Sequence, residues 1–311
     1  MSIRGLFEIA WNDDLFRSVS PFLEVGAYEA LWAEKGATFR RVAERFRTNL
    51  DALPSDLVER TKALDMAKWI TEHMREAGID HWGVRVHRAG EYPAKLRDAQ
   101  HPVEVLYYTG NWDLVETPCV SIVGTRKPSP AGLARTRRLV SEFVADHWTI
   151  VSGLAAGVDT AAHNTAIELG GQTIAVLGTP ICEVYPRVNH ALQREIAQRF
   201  LLLSQVPAYR YHQQTWKANR TFFPERNITM SALTAGTVIV EASNTSGTRT
   251  QARAALAQGR KLFILESCFQ NPELTWPHEF ADRGAIRVRE YSDIREHLAQ
   301  STSEGRRANS P

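Results

Sequence analysis

Cysteine is scarce, with Cys119, Cys182 and Cys268 the only three in 311 residues. Their odd number and wide spacing exclude a disulfide framework and a zinc cluster, so each reads as a small apolar interior residue. No apolar run reaches the ~20 residues needed to cross a bilayer. Residues 1–10 lack the basic-then-apolar plan of a secretory signal. The expected compartment is the cytoplasm, with no membrane partner, and neither a metal nor a cofactor is expected. An excess of one charge sign is missing too: 37 Lys and Arg against 35 Asp and Glu leave a net charge of +2. That excludes a polycation acting through its whole surface, so any nucleic-acid site has to be a local patch.

What is present is an ordinary globular composition, 43% hydrophobic and 23% charged, with length for two domains. Residues 1–80 read as a helical N-terminal region, because 28–46 and 57–77 space their apolar residues by three and four. No chemistry is expected there. Residues 81–118 read as an extended lead-in that packs on the sheet to come, with short pieces at 83–87 and 103–108 and a turn at Gly110-Asn111. From 119 to 298 an α/β rhythm takes over. Strands are expected at 120–124, 148–152, 172–177, 200–204, 236–241, 261–265 and 285–289. They are short, nearly continuous apolar runs, as strands buried on both faces are, and helical patterns of crossover length separate most of them. The fold class is therefore α/β: a Rossmann-like, extended, doubly wound and mostly parallel sheet behind a small helical N-terminal domain. Residues 299–311 are small and polar and are expected to be a disordered tail.

Chemistry is expected where the strands end, since open α/β sheets bind ligands at their carboxyl edge. The first strand runs into Gly124, Thr125, Arg126 and Lys127, and the second into Ser152 and Gly153. A dinucleotide site requires G-x-G-x-x-G after the first strand and an acid after the second, so NAD-type binding is disfavoured. Asp159 and His163 read as a helix cap and a packed helix residue before they read as ligands. The strand at 236–241 ends in Glu241, either a base or a structural acid. Behind it Ser246, Gly247 and Thr248 open a helix as a phosphate cradle. Residues 209–227 interleave five aromatics with four cations and one acid, Lys217, Arg220, Phe223 and Arg226 among them, and end in Asn227. Rings that accept stacked bases beside cations that follow phosphates suit single-strand binding.

Taken together, Gly124-Thr125-Arg126, the Ser152–Asp159 turn with Ala162-His163, Thr173–Gly178, Tyr185-Pro186 with Asn189, Phe223–Asn227, and Val240-Glu241-Ala242 with Ser246-Gly247 resemble the DNA-processing protein A (DprA/Smf) family. The likeness covers roughly 90–265, and the helical N-terminus resembles that family's SAM-like region more loosely. The resemblance implies a non-catalytic single-stranded DNA binder, a homodimer through the Rossmann-like domain. It further implies protection of single strands and loading of a RecA-type recombinase, in natural transformation, recombination or response to foreign DNA. On this likeness Arg126 contacts phosphate, Arg220 and Phe223 hold the strand, and Arg226 and Asn227 line or brace the pocket. Three positions depart from the family pattern: Ile228 replaces an Arg, Gln205 a Glu, and a short tail stands where many members carry a winged helix. One rival is a nucleotide phosphoribohydrolase of the lysine-decarboxylase-like (LOG) group, but Gln251 stands where that group has its acid, and an amide is no general acid or base. Another is a nucleotide sensor, which has no use for an aromatic-cationic arm.

Overall fold

The structure, a computed structural model, describes residues 19–90, 92–98, 103–244 and 247–308. Its N-terminal unit is three helices: α1 (Pro21–Ala33), α2 (Phe39–Arg47) and α3 (Arg60–Glu76). Ser20 caps α1, its Oγ accepting from the Leu23 N–H at 3.4 Å, and Pro21 supplies a preset φ at the first position. The apolar spacing over 28–46 suggested one helix, but the chain breaks after Ala33 and turns at Gly36, where φ is +78°. α1 and α3 lie in close contact, because a Cβ on Gly26 would stand 2.0 Å from the Ala63 carbonyl oxygen.

The remaining chain builds one sheet. β1 (Gly83–Val86) and β2 (Val105–Gly110) form an antiparallel pair, and β2 also runs antiparallel to the strand Leu201–Ser204. The lead-in thus joins the sheet itself, as two strands at one edge. Then follow β3 (Cys119–Val123), α4 (Pro130–Ala145), β4 (Thr149–Ser152), α5 (Val158–Glu168), β5 (Thr173–Leu177), α6 (His190–Arg199) and β6 (Leu201–Ser204). Next come α7 (Ala208–Gln213), α8 (Trp216–Asn219), α9 (Phe222–Leu233), β7 (Gly236–Ile239), α10 (Thr248–Ala257) and β8 (Lys261–Leu265). The described chain ends with α11 (Glu266–Phe269), α12 (Trp276–Ala281), β9 (Ile286–Val288) and α13 (Tyr291–Ala308). Among the described residues the strand order is β1-β2-β6-β5-β4-β3-β7-β8-β9, parallel from β6 to β9.

Successive strand residues face two cores, which is why the runs are apolar throughout. Val120, Ile122, Ile150 and Val238 pack with Val140 and Phe143 of α4, Ala162 of α5 and Ile294 and Leu298 of α13. Val123, Val151, Ile174, Val176 and Ile239 face the N-terminal helices, α6, α9 and α10. Each such aliphatic side chain, fully buried, contributes ~1.5–3 kcal/mol. α13 continues through residues 300–308, where composition suggested a tail without structure. Buried Ile294 and Leu298 anchor its first turns, and adding turns to a formed helix is far easier than starting one. Residues 309–311 lie outside the described residues.

From β3 the chain builds outward through β4, β5 and β6, then crosses back to place β7 on the other side of β3. The connections leaving β3 and β7 therefore diverge, opening a crevice at their carboxyl ends.

Candidate nucleic-acid interface

That crevice is a cavity of about 550 Å³, lined by the turn after β3, the β4–α5 turn, Tyr185, the 216–230 helices and the residues opening α10. The Thr125 N–H donates to the Glu241 carbonyl oxygen at 2.7 Å, tying the β3 and β7 loops together. Gly124 permits this approach: a Cβ there would stand 2.5 Å from Val158 Cγ2 and 2.9 Å from the Glu241 carbonyl oxygen. Beyond it Arg126 and Lys127 are exposed, and the Lys127 N–H donates to Thr125 Oγ1 at 3.2 Å. Arg126 lines the cleft as the β3 motif predicts.

Glu241 is a structural tie. Its carboxylate accepts from the Ser129 N–H (3.0 Å) and Oγ–H (2.8 Å) and pairs with Arg135 (3.3 Å). Ser129 Oγ in turn caps α4 by accepting from the Gly132 N–H at 2.9 Å. Asp159 and His163 also face inward. Asp159 Oδ2 accepts from the Ala155 N–H at 3.2 Å, and burial raises its carboxyl pKa. Thr173 Oγ1 lies 2.7 Å from His163 Nδ1 and donates to the Ile150 carbonyl oxygen, so Nδ1 carries the proton that it accepts. Burial, with the Arg226 charge nearby, pushes the imidazole down to about 3.

Two expected DNA contacts lie beneath the surface. Ser152 is buried with its Oγ donating to the Ile122 carbonyl oxygen at 2.7 Å, and Gly153 is buried against Arg226. The reason is β4 itself, which lies in the middle of the sheet and ends inside the protein. Arg226 is only 5% exposed. Its Nη1 donates to the carbonyl oxygens of Gly153 (2.5 Å) and Val176 (2.7 Å), and its Nε to Asn227 Oδ1 (2.9 Å). Asn227 Nδ2 passes the link on to the Gly247 carbonyl oxygen at 3.1 Å. Arg226 and Asn227 thus brace the turn after β4, the end of β5 and the turn before α10, and both also lie on the cleft lining. Burial pushes the Arg226 guanidinium down to about 10, opposed by Asp159 and reinforced by Arg126.

The aromatic-cationic stretch is helical, divided between α7, α8 and α9, and its rings point three ways. Tyr209 packs edge-on to Trp69, and Phe222 enters the core beside Trp32 and Phe39. Only Trp216 and Phe223 turn to the cleft. There they meet Tyr185 from the loop after β5: Tyr185 lies 5.1 Å from Trp216 and 5.5 Å from Phe223, centroid to centroid. Trp216 is 50% exposed. Arg220 is exposed on the lining; Lys217 is exposed off it. Gly247 and the first helical residue of α10, Thr248, complete the wall, while Ser246 lies outside the described residues. Arg249 is turned aside to the Asn244 carbonyl oxygen, 3.1 Å from its Nη1.

Tyr185 and Trp216 were absent from the sequence-derived site. Trp216 carried a signal in its aromatic-cationic neighbourhood, and Tyr185 only in its Tyr-Pro pair. Gln251 stands at the buried floor of the cleft, its Nε2 donating to Ser121 Oγ (2.7 Å) and Thr237 Oγ1 (3.3 Å). Among the described residues no group of three His, Cys, Asp or Glu side chains is placed to hold a metal, and no helix is long and apolar enough to cross a membrane.

Comparison with known proteins agrees with this geometry. The profile of the family described as DNA recombination-mediator protein A matches residues 83–299. DNA processing protein DprA of Bacillus subtilis (strain 168) is 32% identical over 227 residues, 73% of this chain and 73% of that protein. The X-ray structure of DNA processing protein A from Streptococcus pneumoniae matches with a TM-score of 0.68 at 25% identity, covering 89% of this chain and 98% of that one. DNA processing protein A from Helicobacter pylori, a structure described for its single-stranded DNA binding mode, matches with a TM-score of 0.60 at 27% identity, covering 71% and 97%. With the profile running from β1 into α13 across the whole sheet and its cleft, the chain belongs to the DNA recombination-mediator protein A (DprA/Smf) family.

Proposed function

We propose that this protein binds single-stranded DNA in the cleft between β3 and β7 and catalyses no reaction on it. The observation that carries the reading is the Tyr185–Trp216–Phe223 ring group beside the exposed cations Arg126 and Arg220. Rings at the rim accept unpaired bases, and the cations meet the phosphates between them. A duplex hides the faces of its bases, so it engages the cations alone. The Helicobacter pylori relative's single-stranded binding mode is consistent with this use of the fold. The phosphoribohydrolase reading lacks that group's acid: Gln251 is an amide engaged with Ser121 and Thr237, and Glu241 is engaged with Ser129 and Arg135.

Within this reading the protein acts in the cytoplasm as a homodimer, shields single strands and passes them to a RecA-type recombinase during DNA uptake, recombination or response to foreign DNA. Family membership supports those finer roles. Electrophoretic mobility shift with oligo-dT against a duplex of equal length, repeated at rising salt, tests the core of the proposal. Tight, salt-sensitive binding of oligo-dT with weaker duplex binding is expected; equal affinity for the two, or none, overturns it. Sedimentation tests the dimer, and co-precipitation with RecA tests the hand-over.

A further inference from the structure

The N-terminal helices carry a carboxylate that sequence reading passed over. Glu29 of α1 is 0% exposed. Its Oε1 accepts from the Tyr107 hydroxyl of β2 at 2.6 Å and from the Ala208 N–H at 2.9 Å. Its Oε2 accepts from the Tyr209 N–H at 3.0 Å. Ala208 and Tyr209 open α7, and first-turn amides have no partner within their own helix. α7 leads directly into the helices that carry Trp216, Arg220 and Phe223. Two further contacts hold the same segment on the same unit: Trp69 of α3 edge-on to Tyr209 at 5.0 Å, and Phe222 against Phe39 of α2 at 5.9 Å.

We infer that Glu29 is the positioning residue through which the N-terminal helices seat α7–α9, and with them Trp216, Arg220 and Phe223, on the single-strand cleft. The inference rests on the function proposed above. An aliphatic residue at 29 would fill the space equally well. It would leave one hydroxyl and two amides buried without partners, each at a desolvation cost, and the segment would relieve that cost by lifting off α1. The docked arm is therefore coupled to the state of one side chain outside the DNA-binding sheet.

Burial pushes the Glu29 carboxyl up to about 7, more than the bonds from Tyr107, Ala208 and Tyr209 hold it down. The groups around it are Tyr28 on its own helix, Tyr107 on β2, Cys182 after β5, and Tyr209 on α7. On α3, His73 lies edge-on to His212 of α7 at 5.6 Å. A carboxyl raised in the docked state favours docking while its proton is bound, and the gain is lost as pH rises through about 7. That ring pair is the same whatever stands at 29. The difference between parent and variant profiles therefore isolates Glu29.

The experiment uses the full chain, fluorescence anisotropy with oligo-dT from pH 6 to 8.5, and amide exchange over residues 207–213, for the parent, Glu29→Gln and Glu29→Ala. The parent is expected to lose affinity as pH rises through about 7. Glu29→Gln, which keeps an acceptor for Tyr107 and Ala208, is expected to bind at low pH and to lack that step. Glu29→Ala is expected to bind about tenfold more weakly at pH 6.5, the fold-change of one unmade hydrogen bond, with faster exchange at Ala208 and Tyr209. A folded Glu29→Ala variant that binds like the parent overturns the inference. So does a Glu29→Gln profile that copies the parent's, which decides the matter if Glu29→Ala does not fold. A parent that binds no oligo-dT overturns the proposed function instead, and exchange at Ala208 and Tyr209 then tests the seating alone.

Discussion

Gly153 has no side chain where Arg226 has its guanidinium: a Cβ on Gly153 would stand 2.1 Å from Nη1. The glycine opens space for the arginine, and the arginine then holds the Gly153 carbonyl oxygen. A turn expected among the DNA contacts is thus filled by the protein's own cation. Arg126, not Arg226, stands exposed on the cleft wall.

Gly153→Ala is expected to destabilise the fold by ~1–3 kcal/mol, the usual cost of overpacking a filled site. Arg226→Met should cost ~3 kcal/mol or more, because it leaves Asp159 buried without its cation and two carbonyls without their donor. Urea unfolding midpoints check both; a neutral result at either position would mean that Arg226 does not brace these loops.

Arg126→Ala and Arg220→Ala should behave in the opposite way. Both side chains are exposed, so stability should stay within ~0.5 kcal/mol of the parent. Each should weaken oligo-dT binding and lower the slope of log K against log salt by ~0.7, one released counterion per lost phosphate contact. Titrations at four salt concentrations measure the slope.

Trp216→Ala should cost ~1–3 kcal/mol of oligonucleotide binding with an unchanged Tm, since the ring is half exposed. Trp216→Phe should recover much of it. Gly178→Ala offers a test that removes no ring. Its Cβ would stand 2.4 Å from Phe223 Cδ1, so Phe223 must tilt and oligo-dT affinity should fall although every cleft side chain remains.

Acid should loosen the sheet through His163. Its folded pKa of about 3 lies below the ~6.5 of a free imidazole, so the unfolded chain binds the extra proton. Stability is whole above about 6.5 and is lost as pH falls, by ~2 kcal/mol at pH 5. Urea midpoints between pH 5 and 7.5 should show this slope in the parent and a flatter one in His163→Gln. Glu29 acts with the opposite sign, contributing below its unfolded value and losing that contribution as pH rises through about 7.

The seven strands from β3 to β9 were legible in the sequence to within a residue or two; for β3 to β8 the reason is that a strand buried on both faces is a local property of four or five mostly apolar residues. Local too were the glycine turn after β3 and the exposed Arg126. The 209–227 stretch misled because its rings serve three partners: Tyr209 meets α3, Phe222 the core, Trp216 and Phe223 the cleft. No single apolar stripe then marks the three helices.

The order of apolar runs and turns along the chain determined the α/β class, the carboxyl-edge location of the site and the family likeness. Only the tertiary structure decided which of two chemically identical arginines is a buried brace and which is exposed on the cleft, since Arg126 and Arg226 differ in burial alone. It also joined Tyr185 to Trp216, and set Glu29 against partners 78, 179 and 180 residues further along the chain. Such pairings depend on how the sheet and helices close on one another, and sequence spacing carries no record of that.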